Sequence, residues 1–284
     1  MEILDGKIVS GLIKQMIKER IEKEKLDPPP CLACILVGDD PASQIYVANK
    51  EKACAQVGIK SIIKRLPADS SFEDVASTIN KLNNDASVNG ILLQLPLPKG
   101  LDEKKLISLI SPNKDVDGLT ELNLGRLFSK NTLVAPCTAT GIIDILKHYN
   151  VQIDGKEVVV VGRSLLVGKS VANMLEQLNA TVTICHSHTR DLAVHTRRAD
   201  ILVVAIGKPN FITADMIKPG AVVIDVGINR IEGKIVGDVN FEDIKDKCDK
   251  ITPVPGGVGP MTIAELLKNT MTLYDNSKQN STID

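Results

Sequence analysis

Tyr46 and Lys50 stand one helical turn apart in the stretch VGDDPASQIYVANKEKACAQVGI, Val37 to Ile59. At about 100° per residue, Tyr46, Lys50, Ala53 and Val57 fall within roughly 60° of one another on a helix. Such a stripe should face a core, yet this one carries an ammonium group, which is costly to bury unless it is paired or gives up its proton. A lysine partly withdrawn from water can exchange protons near neutrality, so the chemistry on offer is general acid–base catalysis. The plain alternative is a lysine whose stem lies along the helix while its head reaches water, beside a tyrosine that packs. The chain has 3 Tyr, 4 Phe and no Trp, which makes a tyrosine next to that lysine conspicuous.

A second group of residues suits a phosphate-bearing ligand. Val158 to Val161 reads as a strand ending in Gly162, and Arg163-Ser164-Leu165-Leu166-Val167-Gly168-Lys169 leads into a helix. Glycines there let the backbone approach a pyrophosphate, which meets the amides and positive dipole of the helix start. The spacing departs from Gly-x-Gly-x-x-Gly: the outer glycines are one residue too far apart and the middle one is missing. Alone, the segment is equally compatible with any strand–turn–helix. Three further strand ends support it, because Cys185 is followed by His186-Ser187, Ile206 by Gly207 and Val226 by Gly227. In an open parallel sheet such carboxyl ends converge on one crevice. At the second strand's end the chain places His186, Ser187, His188 and Thr189, with no Asp or Glu to take ribose hydroxyls. With Arg163 nearby, that favours the extra phosphate of NADP over NAD.

Three other segments admit two interpretations each. Pro253 to Pro260, PVPGGVGP, fixes an irregular backbone just ahead of a helix, and either lines a ligand or connects two elements rigidly. Gln94, in GILLQLPLP (Gly90 to Pro98), stands at a strand's carboxyl end and either bonds a ligand or lysine, or caps the core. Asp115 and Asp117 in KDVDG are most simply turn formers.

The elements that must position these groups alternate. Strand-like runs occur at Cys31 to Val37, Ser61 to Leu66 and Gly90 to Leu95, and helical patterns at Val9 to Lys25, Ala42 to Val57, Phe72 to Asn84 and Glu103 to Ile110. The polar segment SPNKDVDG, Ser111 to Gly118, is a natural boundary. Helices Leu119 to Phe128 and Thr138 to Tyr149 follow, then Val/Ile-rich strands at Glu157 to Val161, Thr181 to Cys185, Ile201 to Ile206 and Ala221 to Val226. Ile228 to Val236 predicts a hairpin turning at Glu232-Gly233. A short strand, Lys250 to Thr252, precedes the proline–glycine loop. A last helix, Met261 to Tyr274, leads into a polar, mobile tail, Asp275 to Asp284. Strand–helix alternation implies parallel sheets covered by helices, an α/β fold in two domains.

Composition excludes several function classes. With 284 residues, 43% hydrophobic and 24% charged, the chain is sized for about two globular domains. A net charge of −1 offers no basic surplus for nucleic acid. The longest apolar stretches, six to eight residues such as Ile201 to Ile206, are too short to span a bilayer. Met-Glu-Ile-Leu-Asp shows no secretory pattern, so a cytoplasmic protein without membrane or nucleic-acid partners is expected. Of the six cysteines, Cys31 and Cys34 form a Cys-x-x-Cys inside a strand. Residues three apart there point to opposite faces and no second pair exists, so no metal is expected.

Taken in order, VGDDPASQIYVANKEKACAQVGI, GILLQLPLP, KDVDG, VVVVGRSLLVG, AVVIDVGINR and ITPVPGGVGPMT resemble one family over nearly the whole chain. It is the bifunctional methylenetetrahydrofolate dehydrogenase/methenyltetrahydrofolate cyclohydrolase (FolD) family. The resemblance implies a homodimer whose subunit has a folate-binding catalytic domain, 1–119 plus 262–284, and a Rossmann-like doubly wound NADP domain, 120–261, with the substrate in a cleft between them. It implies oxidation of 5,10-methylenetetrahydrofolate with NADP, then hydrolysis to 10-formyltetrahydrofolate. Lys50 would be the acid–base group of the hydrolytic step, Tyr46 would stack near the substrate and place Lys50, and Gln94 would hydrogen-bond Lys50. Asp117 would hold the pterin N–H groups. Leu93 and Leu95 would border the substrate, as would Pro255, Gly256, Gly257, Val258 and Gly259. Gly162, Arg163, Ser164, Ser187 and Ile228 would contact NADP. A monofunctional NADP-dependent dehydrogenase of the same fold is the alternative. A non-catalytic folate- or NADP-binding regulator would have a disrupted site, and a shikimate-type dehydrogenase should lack PGGVGP and KDVDG.

Overall fold

The structure is a computed structural model that describes residues 1–280. Among these the strands are β1 Glu2–Ile3, β2 Cys31–Val37, β3 Lys60–Leu66, β4 Gly90–Leu93, β5 Glu157–Val161, β6 Thr181–Cys185, β7 Ile201–Val204, β8 Val222–Asp225, β9 Asn229–Ile231, β10 Lys234–Val236 and β11 Lys250–Ile251. The chain divides into two compact units. One comprises Leu12–Ala135 and the chain from Leu266 on; the other comprises Met1–Gly11 and Pro136–Glu265.

The first unit is built on a parallel three-stranded sheet in the order β3-β2-β4. Every residue of β2 (CLACILV) is buried, as a continuous apolar run requires when both sheet faces are covered. One face packs against Val75, Ile79 and Leu82 of the helix Phe72–Asn83. That helix is started by a capping box between Ser71 and Asp74. After β2 the chain turns at Gly38, whose φ of +83° suits glycine, and enters the helix Pro41–Val57. Asp40 caps it by accepting the Ser43 amide at 2.8 Å. Cys31 and Cys34 lie in β2, buried and free, and no cluster of metal-binding side chains occurs among the described residues. Burial pushes the Cys34 thiol up to about 11.

The second unit holds a parallel six-stranded sheet in the order β1-β11-β8-β7-β5-β6. The chain steps from β5 to β6 in one direction and to β7, β8 and β11 in the other, with β1 from the chain's first residues beyond β11, so the order reverses at β5. This is the doubly wound arrangement, with its crevice at that reversal. β9 and β10 form the expected hairpin, and Glu232 and Gly233 both take positive φ, +49° and +79°. Strand β1 was not legible, because two residues carry no periodicity; a Lys250–Glu2 ion pair accompanies its pairing with β11.

The last helix is longer than its pattern suggests, running Val258–Asn280. Pro260 sits in its first turn, where a missing N–H costs nothing. The expected mobile tail is corrected accordingly: Asp275 to Asn280 are helical. Arg20 grips the Asp275 carboxylate with two bonds of 2.8 Å, and Asn89 donates to Ser277 at 3.3 Å. Residues 281–284 of that tail lie outside the described residues. No helix of the described residues is long and apolar enough to cross a membrane.

Candidate active site

Lys50 is held by two elements that meet at the carboxyl end of β2. The helix Pro41–Val57 follows β2 directly, and β4 lies beside β2 in the sheet. Gln94 is the first residue past β4; its amide donates to Ile35 of β2 at 2.9 Å and so extends the ladder by one step. Its side-chain oxygen then accepts from Lys50 Nζ at 2.8 Å. Gln94 Nε2 donates to the Leu95 carbonyl at 2.5 Å, which turns the amide so that oxygen, not nitrogen, faces the lysine. Gln94 is only 8% exposed, whereas Lys50 is half-buried and Tyr46, one turn earlier, is 43% exposed. The stripe expected to face a core is therefore divided: Ala53 and Val57 are core, and Tyr46 and Lys50 form an open polar end.

The two acids of KDVDG separate. Asp115 is buried and takes the Thr120 amide at 2.8 Å and Asn123 Nδ2 at 3.0 Å, the structural role open to both acids. Asp117 is half-buried and borders a small pocket together with Leu93. Leu95 is half-buried at the strand end.

The second unit carries a cavity of about 410 Å³ where the strand order reverses. Gly162 and Arg163 after β5, His186 and Ser187 after β6, and Ile206 after β7 line it. Gly162 has φ of +132°, and a Cβ there would overlap the Ala205 carbonyl. Gly168 sits against the Gly162 carbonyl, and a Cβ on it would lie 2.9 Å from Arg163 N. The extra residue between these glycines is taken up by a π-turn, Leu165–Lys169, ahead of the helix Ser170–Gln177. That is why the spacing misses Gly-x-Gly-x-x-Gly while the close backbone approach is kept. Ser164 spends its hydroxyl capping this turn, accepting Val167 N at 3.2 Å, and is not among the cavity-lining residues. Ile228 does not line the cavity either; it is 50% exposed after β8.

Arg163 after β5 and Lys208 after β7 bring positive charge to the cavity rim. The His186 imidazole lies below its ordinary value through desolvation, the nearby Arg163 guanidinium and His188. Its Nδ1 accepts the His188 amide at 3.1 Å, which leaves a proton on Nε2 in the neutral ring. Among the described residues no carboxylate lines the cavity. A glycine turn too tight for a Cβ, a helix start and a cationic rim fit a dinucleotide with an additional phosphate. Lys208 and Phe211 also line the cavity, with Nζ 5.4 Å from the ring centroid, and were missed from sequence. The signal was available, since GKPNF directly follows a strand end.

Pro255 to Gly259 belong to this second unit. Gly256, Gly257 and Val258 are buried, Gly259 is half-buried and Pro255 is exposed. Gly256 has φ of +115°, and Gly257 N donates to the Pro253 carbonyl at 2.7 Å, closing a tight turn ahead of the last helix.

Residues 4–117 match the tetrahydrofolate dehydrogenase/cyclohydrolase catalytic-domain family model, and residues 136–278 match the NAD(P)-binding-domain model of the same family. A bifunctional protein FolD of Campylobacter hominis is 55% identical over 273 residues, covering 95% of this chain and 96% of the relative. The solved bifunctional FolD methylenetetrahydrofolate dehydrogenase/cyclohydrolase of Campylobacter jejuni superposes with a TM-score of 0.95 at 47% identity, covering 97% of this chain and 99% of that one. A Trypanosoma brucei methylenetetrahydrofolate dehydrogenase-cyclohydrolase, solved with NADP cofactor and an inhibitor, gives a TM-score of 0.92 at 38% identity over 97% of each chain. With both halves matched in order and the lysine, amide and glycine geometry in place, the chain belongs to the tetrahydrofolate dehydrogenase/cyclohydrolase family.

Proposed function

We infer that this chain oxidises 5,10-methylenetetrahydrofolate to 5,10-methenyltetrahydrofolate with NADP and then hydrolyses that product to 10-formyltetrahydrofolate. The observation that carries the reading is the 2.8 Å bond from Lys50 Nζ to Gln94 Oε1. NADP, when bound, supplies the acceptor for the hydride of the methylene carbon. The chain's residues hold the substrate and move protons. As water adds to the methenyl carbon, the Lys50 amine takes a proton from it; as the carbon–N5 bond opens, Lys50 returns a proton to that nitrogen. Gln94 orients the amine without neutralising it, because an amide is an acceptor that carries no charge. Tyr46, exposed on the same helix face, offers a ring against the substrate's aromatic part, with Leu93 and Leu95 beside it. Asp117 accepts the pterin N–H groups. Pro255 to Gly259 supply backbone to the folate.

For the nucleotide, Gly162 admits the pyrophosphate, Arg163 and Ser187 take the extra phosphate, and Ser164 and Ile228, outside the cavity lining, contact the nucleotide at its margin. In functional terms, 1–119 with 262–284 serve the folate and 120–261 the cofactor. A cytoplasmic homodimer is part of the same proposal; for the compartment, six free, buried cysteines fit a reducing environment. The monofunctional alternative is disfavoured because it leaves the Lys50–Gln94 pair without a task.

The test supplies purified protein with methylenetetrahydrofolate and either NADP or NAD, and follows methenyl and formyl products. Lys50→Met should reduce methenyl hydrolysis by about a thousandfold, at the level of losing a general acid–base group, and oxidation by less. Normal hydrolysis by that variant would refute the role of Lys50; equal turnover with both cofactors would refute the NADP preference.

A further inference from the structure

Behind the nucleotide cavity lies a pair of acids that the mechanism above does not use. Asp225, the last residue of β8, is 4% exposed, and Asp238, two residues past β10, is fully buried. The Asp225 carboxylate accepts three backbone amides: Gly227 at 3.0 Å, Asp238 at 2.9 Å and Val239 at 3.0 Å. The Asp238 carboxylate accepts the Ile206 amide at 2.7 Å, the Gly207 amide at 2.9 Å and Asn229 Nδ2 at 2.9 Å. Both acids thus bind the chain just where β7 and β8 end and the sheet ladder stops supplying partners. Ile206 lines the cavity, and Asn229 follows Ile228.

We propose that Asp225 and Asp238 are positioning residues for the nucleotide: a buried carboxylate pair that sets where the backbone of Ile206-Gly207 and of Gly227 to Asn229 stands at the cofactor site. The proposal rests on the cofactor reading given above. Two neighbouring buried acids are a costly way to hold a fold, because apolar groups of similar volume serve stability as well or better. Desolvation opposes ionisation of Asp225, and three amides together with the nearby Asp238 charge set the balance. What the pair supplies is placement. Each carboxylate collects donors from separate segments: Ile206-Gly207 and Gly227 follow β7 and β8 of the six-stranded sheet, whereas Asn229 lies in the β9–β10 hairpin and Asp238-Val239 follow it. Thr252, after β11, is drawn into the same knot, its Oγ1 accepting the Asp225 amide at 2.8 Å. Two glycines are adapted to it: a Cβ on Gly227 would overlap the Asp238 carboxylate, and one on Gly237 the Asp225 carboxylate.

The test exploits the geometry of Asn229. In Asp238→Asn the remaining oxygen can still serve Ile206 and Gly207, but the new NH₂ meets the NH₂ of Asn229 unless Asn229 flips its amide, which gives up its bond to the Val236 carbonyl and leaves a neutral bond where a charged one stood. Losing a charged hydrogen bond of this kind should weaken NADP binding about tenfold, measured by equilibrium titration and as a rise in the KM for NADP larger than the fall in kcat. The exchange variant Asp238→Asn/Asn229→Asp re-forms the bond with its polarity reversed and should return the NADP dissociation constant to within about threefold of the parent. A folded Asp238→Asn protein that binds NADP like the parent overturns the proposal, as does an exchange variant no better than the single one. If Asp238→Asn does not fold, Asn229→Ala decides in its place: it removes the 2.9 Å bond to Asp238 and only a long one, 3.5 Å, to the Val236 carbonyl, and unchanged NADP affinity overturns the proposal. A parent protein that binds no NADP would instead refute the cofactor reading.

Discussion

Gln94 meets Lys50 with a neutral amide that is itself locked by the Leu95 carbonyl, so the amine is aimed by a partner that carries no charge. The opposite device appears at Asp225, where charge is buried and bound. Burial pushes the Asp225 carboxyl up to about 6 against three amides that lower it, and the nearby Asp238 charge adds to the rise. In the unfolded chain the same carboxyl titrates near 3.8. The folded protein therefore binds more protons between those values, and this group's contribution to stability is fully present below about 3.8 and lost as pH rises through about 6. In urea unfolding, the parent's stability advantage over Asp225→Asn should be larger at pH 4.5 than at pH 7, by roughly 2 kcal/mol. A difference independent of pH would show that Asp225 titrates in the fold as it does in the unfolded chain. Asp40, Asp74 and Asp102, held below the carboxylate range by hydrogen bonds at helix starts, act with the opposite sign.

At the scale of elements, the strand–turn–helix after β5 does most to shape the cofactor site. Its glycines are required by contact: a Cβ on Gly168 would come 2.6 Å from the Gly162 carbonyl carbon. Gly168→Ala should cost about 1–3 kcal/mol of stability through overpacking and weaken NADP binding. Gly11, in the helix Gly6–Glu24, has open space where a Cβ would stand, with nothing within 4 Å, and Gly11→Ala should gain about 0.5–1 kcal/mol. Thermal or urea unfolding of the two variants checks the contrast, and equal effects would sink the contact argument. The elements themselves were mostly legible. β2 announced itself as an unbroken apolar run, the hairpin by Glu232-Gly233, and the helix Phe72–Asn83 by its apolar periodicity. What escaped was short or irregular: β1 has two residues, and the π-turn leaves a glycine spacing that matches no familiar motif.

At the scale of the whole molecule, the six cysteines are free and buried and are spread over both compact units. Burial pushes the Cys54 thiol up to about 12, far from the thiolate needed for attack. Native protein at pH 8 should resist iodoacetamide at all six positions, and alkylation should appear together with unfolding. Mass spectrometry after partial urea treatment checks this; rapid modification of any one thiol in the native state would contradict its burial.

By itself the sequence determined the alternation of strands and helices, the lysine on an apolar helix and the glycine-led turn, because these depend on local periodicity and steric need. It also determined family membership through motifs spread along the chain. Tertiary structure alone decided that β4 lies beside β2 although β3 intervenes in the chain, and that adjacency is what brings Gln94 to Lys50. It alone divided the two acids of KDVDG between a helix start and an open pocket, and gathered Asp225 and Asp238 behind the nucleotide cavity. The Lys50–Gln94 and Ile206–Asp238 bonds join residues 44 and 32 positions apart, and such partners are chosen by strand order and burial, which no local pattern of residues encodes.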